Sequence, residues 1–270
     1  MLIDIHTHIF PPSFVKARKT LMKTEKQFAE IYADPDAKMA TAEDLLDSMS
    51  TAGVDISVAC GFWWSDASLA QEHTNYLIEV EKESQDASFS RIIPFVPIQT
   101  SDPPDFALGV GELRKNQRTD LGLVTDLRGV VLVHVSEEVG HQYPGKSGGL
   151  SVRELWLLLI NNPNLRVIAA HWGGGLPFYG LMPEVQTLIK SGRIVFDSAA
   201  SKYLYTADIY KLMPTLVGDS SICWGSDFPL RSQLNDLRDV KSSLSGTAYI
   251  EKFIGENAMK FLKINPKVCV

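Results

Sequence analysis

Two hydrophobic rhythms alternate along the chain. Short apolar runs fall at Ile3–His8, Val54–Cys60, Ile92–Val96, Val130–Val135, Arg166–Ala170, Ile194–Asp197 and Ile222–Trp224. They lack the polar residue at every second place that marks a half-exposed strand, so they read as strands buried on both faces. Between them lie longer stretches with apolar residues three and four apart, the period of an amphipathic helix. Thr41-Ala-Glu-Asp44 predicts an N-cap, Leu45, Leu46 and Met49 line one face after it, and Gly53 ends that helix. Ser151-Val-Arg-Glu154 is a capping box that opens a helix to Ile160, closed by Asn162-Pro163. Ala67–Ser84, Asp105–Lys115, Pro183–Lys190, Tyr205–Leu216, Leu234–Leu244 and Tyr249–Leu262 also read as helices.

Strand and helix alternate from end to end, which predicts an α/β chain with a parallel sheet and, at this number of units, a (β/α)8 TIM barrel. Seven strands are plain, and closure needs an eighth. The missing fourth is expected within Asn116–Gly129, where Gly122-Leu-Val124 is the one candidate, so a minimal or irregular fourth strand is expected. Phe10-Pro11-Pro12 ends the first strand. The mixed residues that follow read as an insertion of one or two short helices, a lid over residues 10–40. No repeat or linker divides the chain, which reads as one domain over residues 1–270.

Composition narrows the partners. A 45% hydrophobic and 21% charged chain is ordinary for a globular protein. A net charge of −6 without a basic cluster argues against nucleic acid or an anionic membrane as partner. Cys60, Cys223 and Cys269 are far apart and form no C-x-x-C, which fits a reducing compartment. The run Leu155–Ile160 is too short to cross a bilayer, and a strand beginning at residue 2 leaves no room for a leader. The expectation is a soluble, cytoplasmic protein with a small-molecule substrate, and a homodimer as its admissible assembly.

Candidate chemistry gathers at strand ends. Side chains alternate along a strand, so Asp4, His6 and His8 are expected on one face, where two imidazoles at i, i+2 can chelate an ion. Alone, that pair is equally an ordinary polar strand end. His134 ends a middle strand, His171 the next, and Asp227 follows the last. All strand C-termini of a parallel barrel meet at one rim, and its first and last strands are neighbours. Asp227 can therefore approach His6 and His8, and four of the six histidines occupy such positions. Imidazoles with one carboxylate suit Zn²⁺ or a similar divalent ion.

Such an ion brings the pKa of bound water to about 7. Asp227 can take that water's proton, and His171 can shuttle one because imidazole titrates near neutrality. Gly173–Gly175 either admits a ligand to the backbone or makes a tight turn. Glu137, His141 and Lys146 either bind a substrate carboxylate or form a solvated loop. Trp172, with Trp63 and Trp64, either lines an aromatic pocket or packs. Asp197 reads as a structural hydrogen-bonding residue and His73 as a surface position on a helix.

Ile3-Asp-Ile-His-Thr-His8, Ala170-His-Trp-Gly-Gly-Gly175 and Gly225-Ser-Asp-Phe-Pro229 resemble the metal-site motifs of the amidohydrolase superfamily. The resemblance is to the branch that includes aminocarboxymuconate-semialdehyde decarboxylase. Val133–His141 with Tyr143–Lys146 resembles that branch's middle-strand motif, and Ile254–Ala258 its terminal helix. The similarity covers most of the chain in matching order. It implies a (β/α)8 barrel with one divalent ion, Zn or Mn, held by His6, His8, His134 and Asp227, with His171 as acid/base residue. No lysine stands on a fourth strand to form a carbamate bridge, which favours a single ion. The expected reaction is hydrolysis of an amide, ester or lactone in a small carboxylated or carbonyl substrate. Metal-dependent non-oxidative decarboxylation is the alternative.

Two rival classes remain. Gly140-His-Gln-Tyr-Pro-Gly-Lys146-Ser147 matches the phosphate-binding loop letter for letter. Ser136-Glu-Glu138 separates it from its strand, and Gly148-Gly149 delays the next helix, so nucleotide binding is the weaker reading. A barrel that has lost activity is the third class, motivated by the thin fourth strand.

Overall fold

The computed structural model describes residues 1–86, 90–97, 109–115 and 129–264. Eight strands pair in chain order, all in parallel. They are β1 (Ile3–His8), β2 (Ile56–Cys60), β3 (Arg91–Val96), β4 (Gly109–Leu113), β5 (Val130–Val133), β6 (Arg166–Ala169), β7 (Ile194–Asp197) and β8 (Ile222–Cys223). The sheet then closes on itself. The Ile5 N–H donates to Trp224 O at 3.1 Å and the His8 N–H to Phe228 O at 2.7 Å. A closed sheet leaves no edge to pair wrongly.

Every residue of β2, β5 and β7 is buried, as their unbroken apolar runs require. Alternate positions divide between two cores. Ile56, Val58, Phe95 and Leu132 pack together in the barrel interior. Ala59, Val96, Val131 and Val133 instead join the helical Leu77 and Leu155, forming the layer between sheet and helices. Both expected capping boxes are present, Thr41 with Asp44 and Ser151 with Glu154, and Gly53 takes the left-handed conformation that ends its helix. Among the described residues, no helix is long and apolar enough to cross a membrane.

The fourth strand corrects the sequence reading. It is Gly109–Leu113, inside the stretch expected to be the helix Asp105–Lys115; Gly122–Val124 lies outside the described residues. The cause is close packing of neighbouring strands. A Cβ at Gly109 would fall 2.6 Å from the Phe95 ring and from Val130 O, and one at Gly111 would fall 2.9 Å from Leu132 Cβ. Glycine is used here because neighbouring strands leave no room, a pressure that local periodicity does not register.

Two further expectations change. The segment after β1 forms three short helices, Pro12–Lys16, Arg18–Thr24 and Lys26–Tyr32, rather than one or two. Their Phe14, Phe28 and Tyr32 pack with Phe10, Phe62 and Trp64 in a separate aromatic core. His73 is fully buried, not on the surface. Its Nε2–H donates to Ile9 O at 2.8 Å, and its Nδ1 accepts from the Phe62 N–H at 3.3 Å and from Trp64 Nε1–H at 3.1 Å. One neutral imidazole thereby ties the exit of β1 to the exit of β2. Burial pushes its pKa down to about 4, which keeps that tautomer at neutral pH.

Gly109→Ala is expected to lower the free energy of unfolding by about 2 kcal/mol in urea denaturation, because the new methyl has no space. In the helix expected from periodicity the same change would stabilise by up to about 1 kcal/mol, so the sign of the effect tests the strand.

Candidate metal centre

Six polar side chains converge at the C-terminal rim of the barrel: His6 and His8 from β1, Glu112 from β4, and His134, His171 and Asp227 just beyond β5, β6 and β8. The simple face of Asp4, His6 and His8 is broken, because the β1–β2 register shifts between Asp4 and Thr7. Asp4 turns to Ser226 and Gln233. The two histidines turn into the barrel mouth, with their Nε2 atoms 3.0 Å apart.

The hydrogen bonds assign the imidazole protons. His6 Nδ1 lies 2.9 Å from the Asp197 carboxylate, which only accepts, so Nδ1 carries a proton and Nε2 is the nitrogen turned to the site. Asp197 also accepts from the backbone N–H groups of His171 and Ala199, at 2.9 and 3.0 Å. It is thus structural, as its sequence context suggests, and it orients two site histidines at once. His171 Nδ1 donates to Ala199 O at 3.1 Å, which leaves Nε2 facing His134 Nδ1 at 3.0 Å. Asp227 Oδ1 lies 3.3 Å from His8 Nε2 and 3.6 Å from His6 Nε2.

Backbone geometry confirms that the turns are held, not relaxed. His171, Trp172 and Asp227 all have φ near +60°, at 56°, 56° and 60°, a region uncommon for residues other than glycine. The bonds from His171 N–H to Asp197 and from Asp227 N–H to His6 O, at 2.9 and 3.0 Å, fix two of them.

Electrostatics follow from burial among opposite charges. Burial alone would depress the His6 pKa, but Asp197, Asp227 and Glu112 outweigh it and raise it to about 10. Burial and the nearby Arg114 guanidinium push His134 down to about 3, so it is neutral. Burial would raise the Asp227 pKa, yet His6, His8 and His171 hold it far below the usual carboxylate range.

The residues present fit a divalent ion. His6, His8 and Asp227 bring one donor atom each within 4.8 Å of one another, and so do His6, Glu112 and His171. Both sets use His6 Nε2, whose single lone pair binds one ion, so they describe one site and not two.

Glu112 is the residue that sequence reasoning missed. It is 3% exposed, paired with Arg114 Nη2 at 2.9 Å and with His134 Nδ1 at 2.7 Å. Its only signal was the strand-like Gly-Val-Gly-Glu-Leu113, hidden by the helix assignment.

The remaining candidates scatter. The site floors a cavity of about 430 Å³ with Tyr32, Phe62, Trp63, His141 and Tyr143 in its walls. His141 is therefore at the cavity, but Glu137 and Lys146 do not line it. Glu137 accepts from Tyr143 Oη at 3.0 Å, and Lys146 Nζ donates to Val139 O and His141 O, both at 2.8 Å. Lys146 is thus spent on its own loop, and beyond the single 3-10 turn Lys146–Gly148 no α-helix begins until Val152, so the phosphate-loop match is one of letters only. Trp172 is fully buried in the layer outside the barrel, stacked on Phe253, with Nε1–H donating to Ser201. Its left-handed backbone turns the ring away from the cavity, which corrects its place as a substrate contact.

No protein-family model matches the chain, and no curated protein matches it in sequence. Solved structures do match in fold. A 5-carboxyvanillate decarboxylase from Novosphingobium aromaticivorans, in complex with manganese and 4-hydroxy-3-methoxy-5-nitrobenzoic acid, aligns with TM-score 0.72 at 12% identity. That alignment covers 98% of this chain and 96% of the other. A 2,6-dihydroxybenzoate decarboxylase bound to 2,6-dihydroxybenzoate aligns with TM-score 0.67 at 12% identity, over 97% and 99% of the two chains. A protein called amidohydrolase II aligns with TM-score 0.63 at 17% identity, over 97% and 100%. At these identities the likeness is one of fold.

Titration of the metal-free protein with Mn²⁺ or Zn²⁺ is expected to give one ion per chain, lost in His6→Ala and Asp227→Ala. Asp197→Asn is expected to weaken binding about 10- to 100-fold by releasing His6. The folded-state pKa of His6, about 10 against 6.5, means that its contribution to the stability of the metal-free protein is complete below 6.5 and drains away as pH rises to about 10. Thermal unfolding of the metal-free protein across that span checks the sign, and metal binding should tighten over it as the His6 proton is displaced.

Proposed function

We propose that this chain is a metal-dependent enzyme that removes CO₂ from a small aromatic carboxylate without oxidation. The observation that carries the reading is a metal-competent cluster of imidazoles and carboxylates at the floor of a cavity walled by aromatic rings. The decarboxylases among the fold neighbours favour this reaction over hydrolysis of an amide, ester or lactone, and the amidohydrolase II neighbour keeps hydrolysis as the second reading. The complete fourth strand removes the motive for an inactive barrel.

His6, His8 and Asp227 would hold the ion, completed from the side where Glu112 and His134 meet. When bound, a divalent ion supplies positive charge to the oxygens of an acidic substrate; three of the matched structures, all of decarboxylases, hold manganese. Tyr32, Phe62 and Trp63 give the cavity an aromatic wall suited to a planar ring.

Exchanging a carboxylate for hydrogen leaves CO₂ and requires one proton on the ring carbon. His171 is placed to deliver it. Its Nδ1 proton is fixed on Ala199 O, so the proton at Nε2 is the mobile one. In the metal-free protein burial would depress the His171 pKa, but Glu112 and Asp227 outweigh it and raise it. The three short helices of residues 12–32 stand over one side of the cavity through Ile31 and Tyr32, and act as its cover.

Incubation of the Mn²⁺-loaded enzyme with hydroxybenzoic and carboxylated phenolic acids is expected to release CO₂ with the matching phenol. Hydrolysis products from lactones or amides without CO₂ would replace this reading by the second one. His171→Asn is expected to lower kcat by about 10²- to 10⁴-fold. In the wild type at saturating Mn²⁺, kcat should fall as pH rises through the His171 pKa of the loaded enzyme, because the protonated ring is the active form. His171→Asn should lack that alkaline limb.

A further inference from the structure

We propose that Tyr143 is a specificity residue of the cavity, accepting a hydrogen bond from an O–H or N–H group on the substrate ring, and that Glu137 is the positioning residue that fixes it in that role. The proposal rests on the reading of this cavity as a site for small aromatic acids. It also gives the loop after β5 a task, which neither metal binding nor the phosphate-loop match supplies.

Tyr143 lies partly buried in the cavity wall, and Glu137 stands behind that wall. Tyr143 Oη donates to Glu137 Oε2 at 3.0 Å. A carboxylate only accepts, so the phenol proton is committed to it. The other carboxylate oxygen, Oε1, is buried without a hydrogen-bond partner. Among the described residues, Tyr143 is thus the donor that Glu137 has. Turning the proton toward the cavity would strip the carboxylate of that donor, which costs more than one hydrogen bond between neutral groups returns. What Tyr143 Oη keeps for a ligand is its lone pairs.

The same loop holds the ring. Lys146 Nζ stands 5.4 Å from the Tyr143 ring centroid, within cation–π range. It is itself tied to Val139 O and His141 O, at 2.8 Å each. The His141 ring packs against Tyr143 with centroids 5.6 Å apart, tilted by 55°. Glu137, His141 and Lys146 therefore converge on one phenol. A ring held at three points has little freedom left to lose when a ligand meets it.

A fixed acceptor selects by what it cannot do. A methoxy oxygen or a fluorine would set lone pairs against lone pairs and leave Oη unpaired, whereas a hydroxyl or amino group satisfies it. The ring that this cavity takes should therefore carry such a donor, apart from the carboxylate directed at the ion cluster.

The test uses the Mn²⁺-loaded, full-length enzyme and 2-hydroxybenzoates bearing a hydroxyl, amino, fluoro or methoxy group at ring position 3, 4 or 5. Dissociation constants are measured by titration calorimetry, and CO₂ release is followed separately. Fluorine is close to hydroxyl in size but cannot donate. At one position or more, the wild type should bind the hydroxyl and amino analogues about tenfold more tightly than the fluoro analogue. Tyr143→Phe should bring that ratio to within about twofold. Glu137→Leu frees the phenol proton to donate, and should lower the hydroxyl-to-methoxy ratio about tenfold while Tyr143 itself remains. A loop that only supports the wall would weaken all analogues alike and leave the ratios in place, and that result would overturn the proposal. Equal wild-type binding of all analogues at every position would overturn it too. Each ratio is taken within one protein, so a general loss of affinity in a variant cancels. If either variant does not fold, the other and the wild-type ratio decide. A hydroxyl preference that depends on Tyr143, without CO₂ release from any analogue, removes decarboxylation and keeps the assignment of Tyr143. Release of CO₂ with indifferent ratios removes only that assignment. A wild type that binds none of the analogues removes both.

Discussion

The seam between the last strand and the first governs this site. Asp4 is fully buried there, with its carboxylate accepting from Ser226 N–H at 2.9 Å, Ser226 Oγ–H at 2.5 Å, Gln233 Nε2–H at 2.8 Å and His6 N–H at 3.2 Å. Burial raises its pKa to about 6, with these four donors opposing the rise, so it stays ionised at neutral pH. One anion thus locks the loop after β8 to the backbone of β1, two residues before His6. Asp227 sits in that same loop, and its N–H bonds His6 O at 3.0 Å. If the seam slipped, Asp227 would leave its position 3.3 Å from His8. Barrel closure and assembly of the site are one event.

The cluster that the seam assembles works against stability. Glu112, Asp197 and Asp227 are carboxylates in the interior beside imidazoles with perturbed pKa values. Taking such groups from water costs several kcal/mol each unless partners compensate. The compensation here is specific: Arg114 for Glu112, His6 for Asp197, and the two β1 histidines for Asp227. Three residues in left-handed backbone add further cost at the same rim. Apolar side chains of equal volume would make a more stable barrel end, which is the usual signature of a site kept for chemistry.

The surroundings are divided by task. Asp197 and His73 do not line this cavity but hold residues that do, Asp197 by accepting from the His171 N–H and His73 by accepting from the Phe62 N–H. The aromatic core of the short helices and the β2 exit supplies both structure and wall, since Tyr32 and Phe62 belong to each. Fold alone would not assign a reaction to this barrel, because one architecture hosts many. The donor set and the cavity walls narrow the choice.

The sequence by itself determined the strands with continuous apolar runs, the capped helices and most of the rim. Those features rest on local physics: burial on both faces, capping hydrogen bonds and the periods of strand and helix. It also placed His6, His8, His134, His171 and Asp227 at strand ends, because strand ends are visible in a linear pattern and parallel topology carries them to one rim. Tertiary structure alone decided the rest. Gly109 and Gly111 make a strand because neighbouring strands exclude a side chain there, which no local rhythm reveals. Glu112 therefore stayed hidden inside a presumed helix. Trp172 left the cavity through its backbone conformation, and Asp4 left the histidines through a register shift. The protons on His6, His134 and His171 are likewise set by partners 22 to 191 residues away. A linear pattern can locate a donor, but which atom it offers is fixed by the neighbours that folding brings.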